Sequence, residues 1–118
     1  MAMRVTTHHL DETRMRRPIY GLEAALRITS IIQTFVERRD HHFILVHVYD
    51  PQGIGFVAVE EGDELLLMTP KDADAYAGFL DEAAEGSKRK AMRDAFARLA
   101  ISFRETAEFA RAPQTAVQ

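Results

Sequence analysis

The length, composition and charge of this chain indicate one small globular domain and exclude several classes of function. It has 118 residues, of which 47% are hydrophobic and 28% charged, a balance typical of a protein that buries a core. Because it has no cysteine, disulfides, thiolate nucleophiles and cysteine-ligated metal sites are excluded. Its formal net charge of −3 makes it a poor candidate for gripping a phosphate backbone unaided.

The charge is unevenly distributed along the chain. Residues 46–86 contain ten acidic residues against the single Lys71, whereas residues 87–118 contain seven basic and three acidic residues. This pattern indicates either a dipolar surface that attracts a charged partner or ordinary solvated turns and helix faces. The apolar runs are far shorter than the roughly 20 residues of a membrane-spanning helix, and the N-terminus lacks a signal-peptide core. We therefore expect a soluble cytoplasmic protein.

The N-terminal part predicts an arm followed by a helix. Residues 1–17 show no sustained periodicity and are expected to be flexible or to form a short strand. Pro18 suits the first position of a helix, which we expect to continue to about Arg39. The helix carries an unusually broad apolar stripe, predicted to contact more than one neighbouring layer: Leu22, Ala25, Leu26, Ile28, Ile31, Ile32, Phe35 and Val36.

The middle of the chain predicts a three-stranded antiparallel meander. The stretches HFILVHVYD, IGFVAVE and LLLMT are rich in β-branched and apolar residues and are separated by the turn sequences DPQG and EGDE. Both faces of each strand are apolar, so both faces of the sheet must be covered. Either helices lie on both sides, or all helices lie on one side and a second copy covers the other. We expect a homodimer.

The C-terminal part predicts two helices. Thr69, Pro70 and Asp72 form an N-cap, a first helical residue and a capping-box acid for a helix that ends at Gly86. Ser87 is expected to cap a last helix that ends near Ala110. The predicted order is α-β-β-β-α-α in a single α+β domain over residues 18–110, followed by a frayed tail over residues 111–118.

The histidines cluster in sequence but are not expected to cooperate. In a strand, His42 and His47 point to opposite faces, and His41 is separated from His47 by roughly 20 Å of extended chain. A shared metal site would need a distant carboxylate or the pair His8–His9. We predict no metal site, and we take His47 as a candidate cleft residue.

No stretch predicts catalysis or cofactor binding. None of the three serines lies in a nucleophile elbow, and GIG at residues 53–55 joins two strands rather than a strand and a helix. We therefore expect no catalytic residues and no cofactor, and a non-enzymatic adaptor, accessory subunit or inhibitor that binds a protein partner. The residues predicted to contact the partner form an acidic and a basic group: Glu60, Glu61, Asp63 and Glu64, and Lys88, Arg89, Lys90 and Arg93.

Two alternatives involve nucleic acid. The first is a nucleic-acid-associated regulator that uses two basic clusters: Arg14, Arg16 and Arg17, and Lys88, Arg89 and Lys90. The second is an inhibitor, of the kind carried by phages or mobile elements, whose acidic segment mimics DNA.

Overall fold

The fold is an α+β arrangement of one mixed sheet and three helices, seen in residues 2–9, 17–38 and 42–112 of a computed structural model. The elements in chain order are β1 (Ala2–His9), β2 (Arg17–Ile19), α1 (Gly21–Arg38), β3 (His42–Tyr49), β4 (Gly55–Glu61), β5 (Glu64–Met68), α2 (Pro70–Gly86) and α3 (Lys90–Arg111). The strand order in the sheet is β1-β3-β4-β5-β2. The α+β class is confirmed.

The predicted meander is present as β3, β4 and β5, which pair antiparallel in sequence order. The first turn forms as its residue types indicate. The Asp50 side chain accepts hydrogen bonds from the backbone N–H groups of Gln52 and Ile54, both at 2.9 Å, and Gly53 takes a positive φ of 87°. These contacts are local in sequence, which is why the turn and its strands could be predicted.

The predicted element order was wrong at the N-terminus. β1 and β2 precede α1 and extend the sheet at its two edges, β1 parallel to β3 and β2 parallel to β5. Pro18, predicted to start the helix, lies in β2 opposite Leu65, and the N–H of Arg17 donates to the carbonyl of Asp63 at 2.9 Å. An edge strand tolerates proline because one side of its backbone needs no partner. The helix begins at Gly21, whose φ of 70° turns the chain out of β2.

All three helices pack against the same face of the sheet. The main core joins their buried side chains to inward-facing residues of the meander, including Phe43, Leu45, Val57, Val59 and Leu66. The aromatic rings of Phe35, Phe43 and Phe103 follow one another at centroid distances of 5.5 and 6.2 Å. The helices are therefore arranged as in the second alternative above, with every described helix on one side of the sheet.

The opposite face of the meander carries its own apolar cluster. Val46, Val48, Ala58, Leu65 and Leu67 are all buried within a single chain, although no described helix packs on this side. Burial of this face therefore does not require a second copy, which removes one of the reasons for expecting a homodimer.

The broad apolar stripe predicted for α1 divides into a buried part and an exposed part. Ala24, Ile28, Ile32, Phe35 and Val36 enter the core. By contrast, Leu22 and Leu26, predicted to pack inside, are 74% and 61% exposed. Ala25 and Ile31 are half-buried against the core, so only the Leu22 and Leu26 part of the stripe is left open to solvent.

The helical hairpin of α2 and α3 is confirmed, and so is the Thr69 cap of α2, but the carboxylate of Asp72 does not make the predicted capping-box bond with the described residues. The Thr69 side chain accepts from the N–H of Asp72 at 3.1 Å. The prediction for Ser87 was wrong: its hydroxyl donates to the carbonyl of Ala83 at 2.8 Å, at the end of α2, and Arg89 takes the N-cap position of α3 without a side-chain bond. Because a serine hydroxyl can satisfy either a preceding carbonyl or a following N–H, the sequence alone does not choose between them.

The C-terminal end of α3 lies directly on the sheet at the start of β4. Gly55 has no side chain, and the carbonyl of Ala110 occupies the space that a Cβ would need. The hydroxyl of Tyr49 donates to the carbonyl of Phe109 at 2.9 Å and lies 3.3 Å from that of Ala112. These contacts hold the helix end in place. None of the described helices has the length and apolar character that crossing a membrane requires.

Candidate functional site

A cleft of about 660 Å³ lies where α1 and α2 begin, beside the end of β5. This volume falls within the range of about 300–1,000 Å³ that is usual for ligand pockets. The residues that line it come from the start of α1, from β4 and β5, and from the first three turns of α2: Tyr20, Gly21, Leu22, Ala25, Phe56, Leu67, Met68, Thr69, Asp72, Ala75, Tyr76 and Phe79. We call it the aromatic cleft, because four of these side chains are aromatic.

One wall of the aromatic cleft is held by a hydrogen-bond relay between α1 and α2. The hydroxyl of Thr29 donates to the carbonyl of Ala25 at 2.9 Å and lies 2.8 Å from the hydroxyl of Tyr76. Since Thr29 has only one proton to give, Tyr76 must be the donor in the second bond. Burial raises the pKa of Tyr76, so its hydroxyl remains protonated and keeps this bond at neutral pH.

The ring of Tyr76 connects the aromatic cleft with the core. Its centroid lies 5.2 Å from that of Phe103, which is fully buried, and 5.9 Å from that of Phe79 at the rim. On the opposite wall, Tyr20 meets Phe56 edge to face at 5.8 Å. Aromatic pairs of this geometry contribute about 0.5–1.5 kcal/mol each and so help to hold the walls in place.

Large apolar side chains are exposed at the rim of the aromatic cleft. Tyr20, Leu22 and Phe79 line it and are 52%, 74% and 56% exposed. Leu26 lies one helical turn beyond Leu22 and is also exposed. Single exposed apolar residues need no explanation, but a contiguous group around a concave surface is typical of a binding site. The arrangement can take up an apolar side chain or the apolar part of a small molecule.

Among the residues that the structure describes, Asp72 is the only charged one that lines the aromatic cleft. Its backbone N–H is used by the Thr69 cap. Its carboxylate makes no hydrogen bond or ion pair with the residues that the structure describes. It is therefore available to a ligand.

The acidic residues predicted to bind a partner lie around the turn between β4 and β5, and two of them are already paired. One guanidinium nitrogen of Arg27 donates to both Glu61 and Glu64, tying α1 to this turn. The hydrogen bond with Glu61, and then that with Glu64, raises the pKa of Arg27 above its ordinary value. Asp63 is exposed, while Glu60 is half-buried opposite Leu65. The acidic surface is thus weaker than the sequence indicates.

The predicted basic residues meet at the turn between α2 and α3. Arg93 donates to the carbonyls of Ser87 at 3.2 Å and Lys88 at 3.0 Å, so it stabilises the turn itself. Lys90 pairs with Asp94 at 2.8 Å. Lys88 and Arg89 are exposed. In the other basic cluster, Arg14, Arg16 and Arg17, the structure describes only Arg17, whose side chain lies 3.8 Å from that of Glu64. Arg14 and Arg16 lie outside the described residues.

His47 lies on the sheet away from the aromatic cleft. It is 8% exposed, stacks on Phe109 at 5.2 Å and meets Tyr49 edge to face at 5.8 Å. The described part of the chain contains no group of three histidine or carboxylate side chains placed to hold a metal ion. The side chains of His8, His9, His41 and His42 lie outside that part.

The aromatic cleft could not be predicted from the sequence, because its residues are far apart in the chain. Leu22 was assigned to the apolar stripe of α1 and Phe56 to the second predicted strand, while Tyr20, Tyr76 and Phe79 were not assigned to any site. One signal was present: Phe79 falls outside the buried stripe of α2, which contains Ala73, Ala77, Leu80 and Ala84. A large aromatic residue off the buried face of a helix is a reasonable marker of a contact surface.

Comparison with known proteins adds no functional assignment. The chain matches no protein-family model, no curated protein and no solved structure. The function is therefore inferred from the geometry described above.

Proposed function

We propose that this protein is a non-enzymatic cytoplasmic interaction module that binds a partner protein by taking an apolar side chain into the aromatic cleft. The observation that carries the proposal is the convergence of Tyr20, Leu22 and Phe79, all more than half exposed, on one concave surface. Aromatic anchors in such pockets supply much of the binding energy of protein interfaces.

A panned peptide library tests this proposal with a matched pair of variants. Phe79 and Ile101 are 56% and 54% exposed, but only Phe79 lines the aromatic cleft. Covering half of a phenylalanine is worth about 1–2 kcal/mol, or roughly tenfold in affinity. We expect selected peptides to share an apolar residue, to bind Phe79→Ser about tenfold more weakly, and to bind Ile101→Ser as well as the original protein. Equal binding to both variants, or no enriched peptide at all, would refute the proposal.

A charged surface is less well supported than the aromatic cleft as the main contact with a partner protein. Arg27 neutralises part of the acidic turn, and Asp74 and Asp81 of α2 pair with Arg111 and Arg104 of α3. Fewer carboxylates are then free to mimic the phosphates of DNA. The inhibitor alternative receives less support for the same reason.

Nucleic-acid binding is a second candidate, and it is favoured by one observation. The first turn of α3 has no side-chain cap, and its N–H groups lie beside the exposed Lys88 and Arg89. Helix N-termini and cations both attract phosphate. A gel shift with double-stranded DNA at rising salt tests this candidate: affinity should fall steeply, and charge reversal of Lys88 and Arg89 should flatten the salt dependence. No shift at low salt excludes it.

Homodimer formation remains a proposal, supported by the open edge of the sheet. β1 is a terminal strand of eight residues, and such an edge can pair with a second copy. Sedimentation velocity over a range of concentrations measures the association directly. A single monomeric species throughout would exclude the dimer.

A further inference from the structure

We propose that the aromatic cleft selects a cationic group attached to an apolar one, and that Asp72 is the residue that confers this selectivity. The inference rests on the proposed function and specifies its ligand: a partner segment in which an apolar side chain is accompanied by a lysine or arginine. Two features of the aromatic cleft support it independently, the state of its carboxylate and the nature of its walls.

Asp72 differs from the other aspartates of α2 in having no cationic partner among the described residues. Asp81 is paired with Arg104 at 2.6 Å and Asp74 with Arg111, both across the helical hairpin. Asp72 faces the aromatic cleft instead. Asp72 is exposed at the edge of this apolar recess, so its attraction for a ligand charge is modest, as for a charge pair at a protein surface.

The aromatic walls also favour a cation. Tyr20, Phe56, Tyr76 and Phe79 all line the aromatic cleft. The face of an aromatic ring carries negative electrostatic potential and attracts a cation that lies over it. Aromatic residues combined with a carboxylate are a recurrent means of recognising organic ammonium groups.

Two features of the same region oppose a cation, and their magnitudes can be compared. The N-terminus of α2 carries roughly half a positive charge, spread over several N–H groups. One of those groups, the N–H of Asp72, is already satisfied by Thr69. Lys71 is adjacent in sequence but does not line the aromatic cleft. A full negative charge on the wall outweighs a partly satisfied half charge beneath it, so the balance favours a cation.

Three small probes of matched size test this inference: phenethylamine, phenethyl alcohol and hydrocinnamate. Each carries the same phenylethyl group, with a positive, neutral or negative end. Their binding to the full chain is followed by amide chemical shifts at low ionic strength, where screening is weak. We expect the amine to bind about two- to fivefold more tightly than the alcohol and the carboxylate to bind most weakly. Shifts should be centred on Asp72 and Phe79.

The variants Asp72→Asn and Asp74→Asn separate the possible outcomes. Asp72→Asn should abolish the preference for the amine and leave the alcohol unaffected, whereas Asp74→Asn, which alters an aspartate paired with Arg111, should preserve the preference. Equal binding of the three probes, or a preference for the carboxylate, overturns the selectivity and leaves apolar capture standing. If none of the probes shifts the amides of the aromatic cleft, both the selectivity and the proposed function fail.

Discussion

Replacing Gly55 with alanine should destabilise the fold by obstructing the end of α3. A Cβ at this position would lie 1.9 Å from the carbonyl oxygen of Ala110 and 2.8 Å from its carbonyl carbon. Both atoms belong to the backbone, so no side-chain rotation can relieve the overlap. The end of the helix would have to retreat by about 1.5 Å to restore an ordinary contact.

The energetic cost of this displacement has two parts. Forcing a methyl group into a closely packed site costs about 1–3 kcal/mol. The hydroxyl of Tyr49, which donates to the neighbouring carbonyl of Phe109 at 2.9 Å, would lose its geometry at a cost of about 0.5–1.5 kcal/mol. We therefore expect Gly55→Ala to lower the free energy of unfolding by about 2–4 kcal/mol. For a domain of this size, Tm should fall by roughly 10 °C.

Urea denaturation followed by circular dichroism measures this loss, and Gly78→Ala is the matched control. A Cβ at Gly78, inside α2, would meet no atom within 4 Å. Alanine favours a helix over glycine, so this variant should gain about 0.5–1 kcal/mol. The same substitution should thus have opposite signs at the two positions. If Gly55→Ala unfolds at the same urea concentration as the original protein, the close approach of α3 to β4 is incorrect.

Two further predictions concern Arg27 and Tyr76. Replacing Arg27 with methionine should lower Tm more than replacing Lys90 with methionine, because it leaves Glu61 and Glu64 close together without a cation. The loss of Tm caused by Arg27→Met should shrink in high salt. It should stay constant between about pH 7 and pH 9, because the raised pKa of Arg27 keeps its guanidinium charged, and the stabilisation disappears only in strong alkali. Equal losses of Tm from the two substitutions would contradict the ion pairs of Arg27 with Glu61 and Glu64. For Tyr76, burial raises the pKa of the folded state, so the unfolded state loses its proton first and stability should fall above about pH 10. Tyr76→Phe should weaken this fall in the free energy of unfolding, measured by urea titration at alkaline pH. An unchanged fall would mean that other groups cause it.

Elements defined by neighbouring residues were predictable from the chain. The turn at Asp50, the alternation of β3 and the cap at Thr69 all depend on contacts within four residues. Residue types and spacing report such contacts directly. Alternation also placed His47 and Tyr49 on one face of β3, where their rings meet.

Contacts between distant segments were not predictable in the same way. β2 has three residues, too few to show any periodicity, and its parallel pairing with β5 needs no turn signal. The exposure of Leu22 and Leu26 depends on which layers α1 meets, and the hydrophobicity of α1 is the same in either case. The pairing of β2 with β5 and the exposure of Leu22 and Leu26 therefore give no signal within a short stretch of the sequence.

The amino-acid pattern thus established α2, α3, most of α1, the meander and the Thr69 cap, because each follows from backbone preference and the spacing of a few residues. The absence of cysteine established the absence of thiol chemistry. The packing of the helices on one side of the sheet determines whether an apolar residue lies in the core or on a binding surface. That packing buried Ile28 and left Leu22 at the rim of the aromatic cleft. The physical reason is that burial depends on the arrangement of whole elements in space, whereas hydrophobicity belongs to each residue alone.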